Sequence, residues 1–396
     1  MRDAAEQDGM RSVRERRTAL QRTARVLARP GLRDTIRERL AELMETAPGV
    51  YDLDEPGDLY GDGIVAHLEE RVAALLGMEA AAFFPTGTMA QQVALRCWAA
   101  RTGSPTVALH PLAHPEVHER NALRDVAGLR PVHVTTAPRL PTAAEVEDFE
   151  EPFGTLMLEL PLRDAGFVLP TWEELTEVVA AARERDAVVH FDGARLWEST
   201  VHFGRPLAEV AGLADTVYVS FYKSLGGFGG AAVAGPGTLI EEARAWRHRY
   251  GGMVVQQFPT VLSALAGLDR KLPRLPAYVR HARVVASSLR EGLADAGMPW
   301  SRVHPAEPHI HQFQVWVPYD ADVAAEAAVR QAEETSVLLF AGGWEQAGPG
   351  LACTEVTVDE AGLDWTAEQV RAAAGAFVAR LPGRACQQAS GRSGPA

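Results

Sequence analysis

Only two of the 396 residues are lysine, Lys223 and Lys271, and the other 37 basic residues are arginine. A guanidinium stays protonated in proteins and forms no imine, so amine chemistry here rests on two positions. Lys223 stands in Ser220-Phe221-Tyr222-Lys223-Ser224-Leu225-Gly226-Gly227, just past a β-rich run and before two glycines that permit close backbone approach. Upstream, Asp192 ends the run Val188-Val189-His190-Phe191-Asp192 and is followed by Gly193, Ala194 and Arg195. A strand-end carboxylate can hold a cationic ring nitrogen, and an arginine three residues on can hold an anionic substrate group. Further upstream, Pro85-Thr86-Gly87-Thr88 lies between a predicted strand and a predicted helix. Small residues, threonine hydroxyls and a helix N-terminus suit an anion. The same threonine would also serve as an ordinary N-cap.

An anion cradle, a strand-end carboxylate and a strand-end lysine are together the equipment for pyridoxal phosphate. That cofactor needs a phosphate cup, an amine for the imine, and a carboxylate that keeps the pyridine nitrogen protonated. The protonated ring then accepts electrons from a substrate α-carbon.

The pattern around these residues predicts the elements that position them. Strands are expected at Ala81–Phe84, Thr106–His110, Val132–Thr135, Thr155–Leu160, Ala187–Phe191, Thr216–Phe221 and Ala231–Ala234, with helices at Gly63–Leu76, Thr88–Ala100, Thr171–Arg185 and Leu239–His248. Such alternation predicts an α/β domain with a mostly parallel sheet, in which ligands sit at the strands' carboxyl ends. After Lys271-Leu272-Pro273 the pattern changes to a long helix (Tyr278–Ala296), strands near Gln312–Val317, Val337–Phe340 and Cys353–Val358, and a last helix from Thr366 to Leu381. That reads as a small C-terminal α+β domain. The expected organisation is an extension (1–30), a segment at a domain or dimer interface (31–56), a large cofactor-binding domain (57–270), a small domain (271–381) and a disordered tail (382–396). A helical stretch is expected over Arg11–Leu27, stopped by Arg29-Pro30. Its acids argue against a transit peptide and for a solvated extension or oligomer arm.

Composition narrows the function classes. With 47% hydrophobic residues the chain can bury a sizeable core, and a formal net charge of −13 speaks against wrapping nucleic acid or anionic lipid. Three cysteines (Cys97, Cys353, Cys386) without paired spacing form neither a disulfide framework nor a zinc knuckle. No apolar run reaches the roughly 18 residues that span a bilayer. The expectation is a cytoplasmic protein with no membrane or nucleic-acid partner.

Four segments carry a resemblance: Gly57-Asp58-Leu59-Tyr60-Gly61-Asp62, Phe84-Pro85-Thr86-Gly87-Thr88-Met89-Ala90, His190-Phe191-Asp192-Gly193-Ala194-Arg195-Leu196 and Lys223-Ser224-Leu225-Gly226. In this order and spacing they resemble the threonine aldolase and aromatic β-eliminating lyase group of fold type I pyridoxal phosphate enzymes, from about Gly57 to Leu268. The resemblance implies Lys223 as the Schiff-base lysine, Asp192 as the pyridine-nitrogen partner, and Thr86, Gly87 and Thr88 as the phosphate cup. It places Arg195 near the cofactor hydroxyl and substrate carboxylate, and Tyr60 near the substrate. His114, in Leu112-Ala113-His114-Pro115-Glu116-Val117-His118-Glu119, matches the family histidine that stacks on the pyridine face, and Glu119 matches the glutamate five residues beyond. The implied activity is retro-aldol cleavage of a β-hydroxy-α-amino acid to glycine and an aldehyde. The alternatives are β-elimination or β-replacement on an amino acid, and a non-catalytic cofactor-binding relative. The resemblance also implies a homodimer or homotetramer.

The departures fall on the substrate side. Where the family has Glu-Asn-Thr-His, a histidine that is a candidate acid–base group, this chain reads Glu159-Leu160-Pro161-Leu162-Arg163-Asp164. That leaves the β-hydroxyl proton to a water or to the cofactor phosphate. Gly350-Leu351-Ala352-Cys353-Thr354-Glu355 lacks the family's carboxylate-binding arginine, the family's Gly-Gly-Gly-Met-Arg-Gln becomes Gly251-Gly252-Met253-Val254-Val255-Gln256-Gln257, and its Arg-Ser-Asp-Thr is reduced to Arg33-Asp34-Thr35. Arg163 is the expected replacement, with catalytic and substrate-binding duties. The alternating pair His309 and His311, read as one face of a strand, is the weaker candidate. The spacing of His114 and His118 also suits a shared metal ion, but Pro115 and the missing His-Glu-x-x-His pattern favour stacking, and no metal site is expected.

Overall fold

The computed structural model describes residues 25–28 and 34–382. The described residues divide into two compact units, 34–276 and 25–28 with 277–382.

The first unit opens with α1 (Ile36–Thr46), started by a capping box in which Thr35 and Glu38 satisfy each other's backbone N–H groups. Helix α2 (Ile64–Leu76) ends at left-handed Gly77, and strand β1 (Ala80–Phe84) leads to α3 (Gly87–Thr102). Strand β2 (Thr106–Leu109) runs into the single turn α4 (His114–Val117), and β3 (Arg130–His133) and β4 (Thr155–Glu159) follow. Helix α5 (Trp172–Glu184) precedes β5 (Val188–Gly193), β6 (Thr216–Ser220) and β7 (Ala231–Gly235), and α6 (Gly237–Arg249) and α7 (Phe258–Arg270) close the unit.

The seven strands form one sheet in the order β1-β7-β6-β5-β4-β2-β3, with only β7 antiparallel to its neighbours. Strands β4, β6 and β7 are buried at every position, as expected of strands covered on both faces. A polar chain runs through this core. Trp98 Nε1 donates to Thr216 Oγ1 at 2.8 Å, Thr216 Oγ1 meets His190 Nδ1 at 2.8 Å, and His190 Nε2 meets Gln91 Oε1 at 2.7 Å. Burial pushes the His190 pKa down to about 3, so it is a neutral linker beneath Asp192.

The second unit contains most of α8 (Leu275–Asp295), β8 (Arg302–His304), β9 (Gln312–Val317), α9 (Ala321–Thr335), β10 (Val337–Leu338), β11 (Trp344–Gly348), β12 (Leu351–Thr357) and α10 (Ala367–Val378). Its antiparallel sheet, in the order β11-β12-β9-β8, shares a core with helix side chains such as Leu289, Ala328 and Phe377.

Four expectations need correction. The helical reading of Arg11–Leu27 fails at its end, because Arg25–Val26 form a short strand parallel to β10; residues 11–24 lie outside the described residues. Val26 and Leu27 are buried in that unit's core and Trp365 Nε1 donates to the Val26 carbonyl at 3.0 Å, so these residues are not a solvated arm. Strand β3 begins at Arg130 rather than Val132, since it is the sheet's edge and tolerates Pro131 there. His309 and His311 precede β9 in irregular chain instead of alternating along a strand. The sequence prediction has no counterpart of helix α7, in which Val261 through Leu268 are all buried. Residues 383–396, including most of the expected tail, lie outside the described residues.

Candidate active site

Parallel pairing sets the site. Strands β4, β5 and β6 are neighbours, and Glu159 pairs with Asp192 while Asp192 pairs with Tyr218. Laterally paired residues of a sheet project to the same face, so these three side chains lie side by side at the carboxyl edge. Lys223 follows three residues beyond β6. On that face stands the N-terminus of α3: a side chain on Gly87 would fall on the Tyr218 hydroxyl. Position 87 therefore requires glycine as long as Tyr218 is in place.

The charges are sheltered and unevenly compensated. Asp192 is 2% exposed and Glu159 5%. Burial raises the pKa of both carboxyls, and each is raised further by neighbouring carboxylates: Glu159 by Asp192, Asp192 by Glu119. Asp192 Oδ1 accepts from the Ala194 amide at 3.2 Å. Glu159 Oε2 accepts from the His114 backbone N–H at 2.8 Å and Oε1 from that of Arg163 at 3.3 Å, so one carboxylate clips together two loops. The His114 ring is held at 3.2 Å by Glu119 Oε1.

Lys223 is pushed down to about 8, first by burial, then by the cations Arg195 and Arg163, against the pull of Asp192 and Glu159. A lowered pKa populates the neutral, nucleophilic amine at mildly alkaline pH. Its loop is anchored from behind. Ser224 Oγ donates to buried Glu198 Oε1 at 2.6 Å, and Trp197 Nε1 donates to the Ser220 carbonyl at 2.9 Å. Burial raises Glu198 to about 8. Arg195, 7% exposed, lies over the Phe167 ring at 5.1 Å.

The structure thus brings Lys223, Asp192, Arg195, Arg163 and His114 into one electrostatic neighbourhood with Gly87 at its side. Thr86 accepts from Met89 N at 3.3 Å as the helix N-cap, which leaves the Gly87 and Thr88 amides at the helix start. Tyr60 is 50% exposed with φ 56°, and its N–H donates to the Val255 carbonyl at 3.0 Å. Its loop is fastened by buried Asp58, which accepts from the amides of Gln257 and Phe258 at the start of α7. The Gly57–Asp62 segment is therefore partly a remote helix cap. Among the described residues no group of three or more His, Cys, Asp or Glu is placed to hold a metal ion.

The residues fit pyridoxal phosphate. Asp192 is a buried carboxyl suited to a cationic ring nitrogen, the α3 N-terminus offers amides to a phosphate, and Lys223 offers an amine. Sequence reasoning passed over Glu159 and Tyr218. Glu159 carries the signal that singled out Asp192, a carboxylate ending a buried strand; Tyr218 reads as core and shows its role only beside Gly87.

Comparison with known proteins agrees. Residues 34–339 match the family model described as beta-eliminating lyase. The chain is 27% identical over 320 residues, 78% of its length and 87% of the relative's, to low-specificity L-threonine aldolase 1 of Arabidopsis thaliana. It is 31% identical over 245 residues, 60% of this chain and 73% of the relative, to the low-specificity L-threonine aldolase of Escherichia coli K12. A solved structure from Listeria monocytogenes EGD-E, assigned as an L-allo-threonine aldolase, superposes with a TM-score of 0.84 at 31% identity, covering 93% of this chain and 99% of that one. Serine palmitoyltransferase of Sphingomonas wittichii, at 19% identity and a TM-score of 0.60, shares the fold. With the fold type I architecture and a family match across most of its length, the chain belongs to the beta-eliminating lyase family, in its threonine aldolase branch.

Proposed function

We propose that the enzyme binds pyridoxal phosphate and cleaves a β-hydroxy-α-amino acid into glycine and an aldehyde. The observation that carries this reading is Lys223 beside Asp192 at the ends of adjacent strands, in a chain whose relatives are threonine aldolases. The bound cofactor supplies an electron sink for charge at the substrate α-carbon.

The chain's own residues do the rest. Gly87 and Thr88 amides bind the phosphate, and Asp192 holds a proton on the ring nitrogen. His114, fixed through its backbone by Glu159 and through its ring by Glu119, would stack on the bound ring. Lys223 supplies the amine and moves the proton at the α-carbon. Arg195, immobilised over Phe167, receives the substrate carboxylate, with Arg163 on the neighbouring loop and Tyr60 at the rim.

Product analysis tests the reaction. Glycine plus an aldehyde in equal amounts is expected from L-threonine or L-allo-threonine. Pyruvate or another 2-oxo acid plus ammonia would overturn aldol cleavage in favour of β-elimination.

The same reading includes a homo-oligomer. Helix α1 exposes Ile36 (81%), Leu40 (48%) and Met44 (61%) at i, i+4 and i+8, a stripe of one face that suits a second copy of the chain. Sedimentation velocity is expected to give a dimer or tetramer, and Leu40→Glu to shift it towards monomer. A wild type that sediments as monomer removes the proposal.

A further inference from the structure

Beside the cofactor residues stands a cluster the proposed reaction has not used. His118 closes the α4 turn, and its ring centre lies 5.2 Å from that of His114. Its Nε2 is 2.8 Å from Asp164 Oδ2, on the loop after β4, 46 residues away in sequence. The other oxygen of that carboxylate accepts from Arg163 Nη1 at 3.0 Å, and the same Nη1 lies 3.2 Å from His118 Nε2. The charged and titratable groups around the imidazole are therefore Asp164 and Arg163 from the loop, with His114 and Glu119 from its own segment.

Two features give the cluster a catalytic orientation. The His118 side chain is 37% exposed and that of Asp164 19%, so the imidazole is open while its carboxylate is more sheltered. Arg163, bonded to Asp164, is also one of the cations that lower the Lys223 pKa, so the cluster lies within electrostatic reach of the lysine. Asp164, at 2.8 Å, is the nearer partner of Nε2 and accepts from Nε2–H, while Arg163 Nη1 donates to Asp164 Oδ1; this tautomer leaves the Nδ1 lone pair as a base.

We propose that His118, oriented by Asp164, is the acid–base residue for the substrate β-hydroxyl. The inference rests on the aldol-cleavage reading above. His118 takes the hydroxyl proton, and the oxygen's freed electron pair becomes the second bond of the aldehyde carbonyl. The Cα–Cβ bond breaks, and its electron pair stays with the α-carbon, which takes up a proton to become glycine. The chain has no histidine on the loop after β4; the loop instead supplies the carboxylate, and the α4 turn supplies the imidazole. His118 is the catalytic residue and Asp164 a positioning residue.

Three measurements on the full-length protein test this. In the holoenzyme, His118→Gln is expected to lower kcat for cleavage of L-threonine or L-allo-threonine by about 10²- to 10⁴-fold, the usual range for a lost acid–base group. Exchange of the glycine α-proton with D2O needs no β-hydroxyl and is expected to keep its wild-type rate. Asp164→Asn is expected to lower cleavage by about tenfold or more, again without slowing exchange. In the apoprotein, histidine 15N NMR is expected to show His118 as the Nε2–H tautomer in wild type and as a mixture in Asp164→Asn. Unchanged cleavage in His118→Gln overturns the proposal, and so does a parallel loss of cleavage and exchange, which marks a structural role. Wild type that exchanges glycine protons but cleaves neither substrate overturns the underlying aldol reading instead.

Discussion

Lys223→Ala is expected to abolish the visible absorption band that the wild type acquires with pyridoxal phosphate, and to reduce amino-acid cleavage by at least about 10³-fold. The effect is large because the chain has no substitute of the right chemistry nearby except one. Thirty-seven of its basic residues are arginines, which form no imine. Lys271, which the sequence places at the join to the second domain with no functional company, comes closer in the structure. A methyl group built on Gly226 would sit 2.8 Å from its Nζ, so its ammonium rests against the loop that carries Lys223. Absorption spectra of Lys223→Ala titrated with the cofactor decide the matter. A band that survives would hand the amine role to Lys271, and turnover that survives would remove the lysine chemistry altogether.

Asp192→Asn is expected to move stability and activity in opposite directions. Burial, and then the neighbouring carboxylate Glu119, raise the pKa of the Asp192 carboxyl in the apoprotein against the pull of His114 and Lys223. Folding then favours the protonated form, and stability is lost as pH rises through the raised pKa. Asparagine cannot ionise and escapes this loss. The apo variant is expected to gain on the apo wild type as pH rises from about 4 to about 6, and to keep that gain at higher pH, by about 1 kcal/mol or more. With pyridoxal phosphate the order reverses, because the ring nitrogen supplies the cation that the carboxylate lacks. Cleavage is expected to fall by about 10²- to 10⁴-fold, since a neutral amide does not hold the nitrogen's proton. Thermal unfolding of both proteins across pH, with and without cofactor, measures the first effect, and steady-state kinetics the second. An apo variant less stable than wild type at every pH would show that Asp192 is structural.

The reasons these residues were legible are particular. Lys223 stood out because lysine is scarce, and Asp192 because a carboxylate closing an apolar run has no ordinary business in a core. The Thr86 N-cap and the Thr171 and Thr366 capping boxes are local, three-residue devices, and helices α3, α5 and α10 begin within a residue of where they were expected. The Arg25–Val26 strand was not legible, since its placement depends on pairing with chain more than 300 residues away rather than on local pattern.

What the sequence determined by itself was the inventory of chemistry: a strand-end lysine, the strand-end carboxylate Asp192, a helix start fit for an anion, and an alternation that calls for a mostly parallel sheet. It also showed that the usual histidine after β4 is missing. Only the tertiary structure decided what stands in its neighbourhood. Strands β2 and β4 are adjacent and parallel, so the turn that follows one and the loop that follows the other emerge at the same edge. That adjacency brings His114 onto Glu159 and His118 onto Asp164, across 45 and 46 residues of sequence. Strand order, which no local pattern encodes, determines which loops meet, and the meeting of loops is what completes this site.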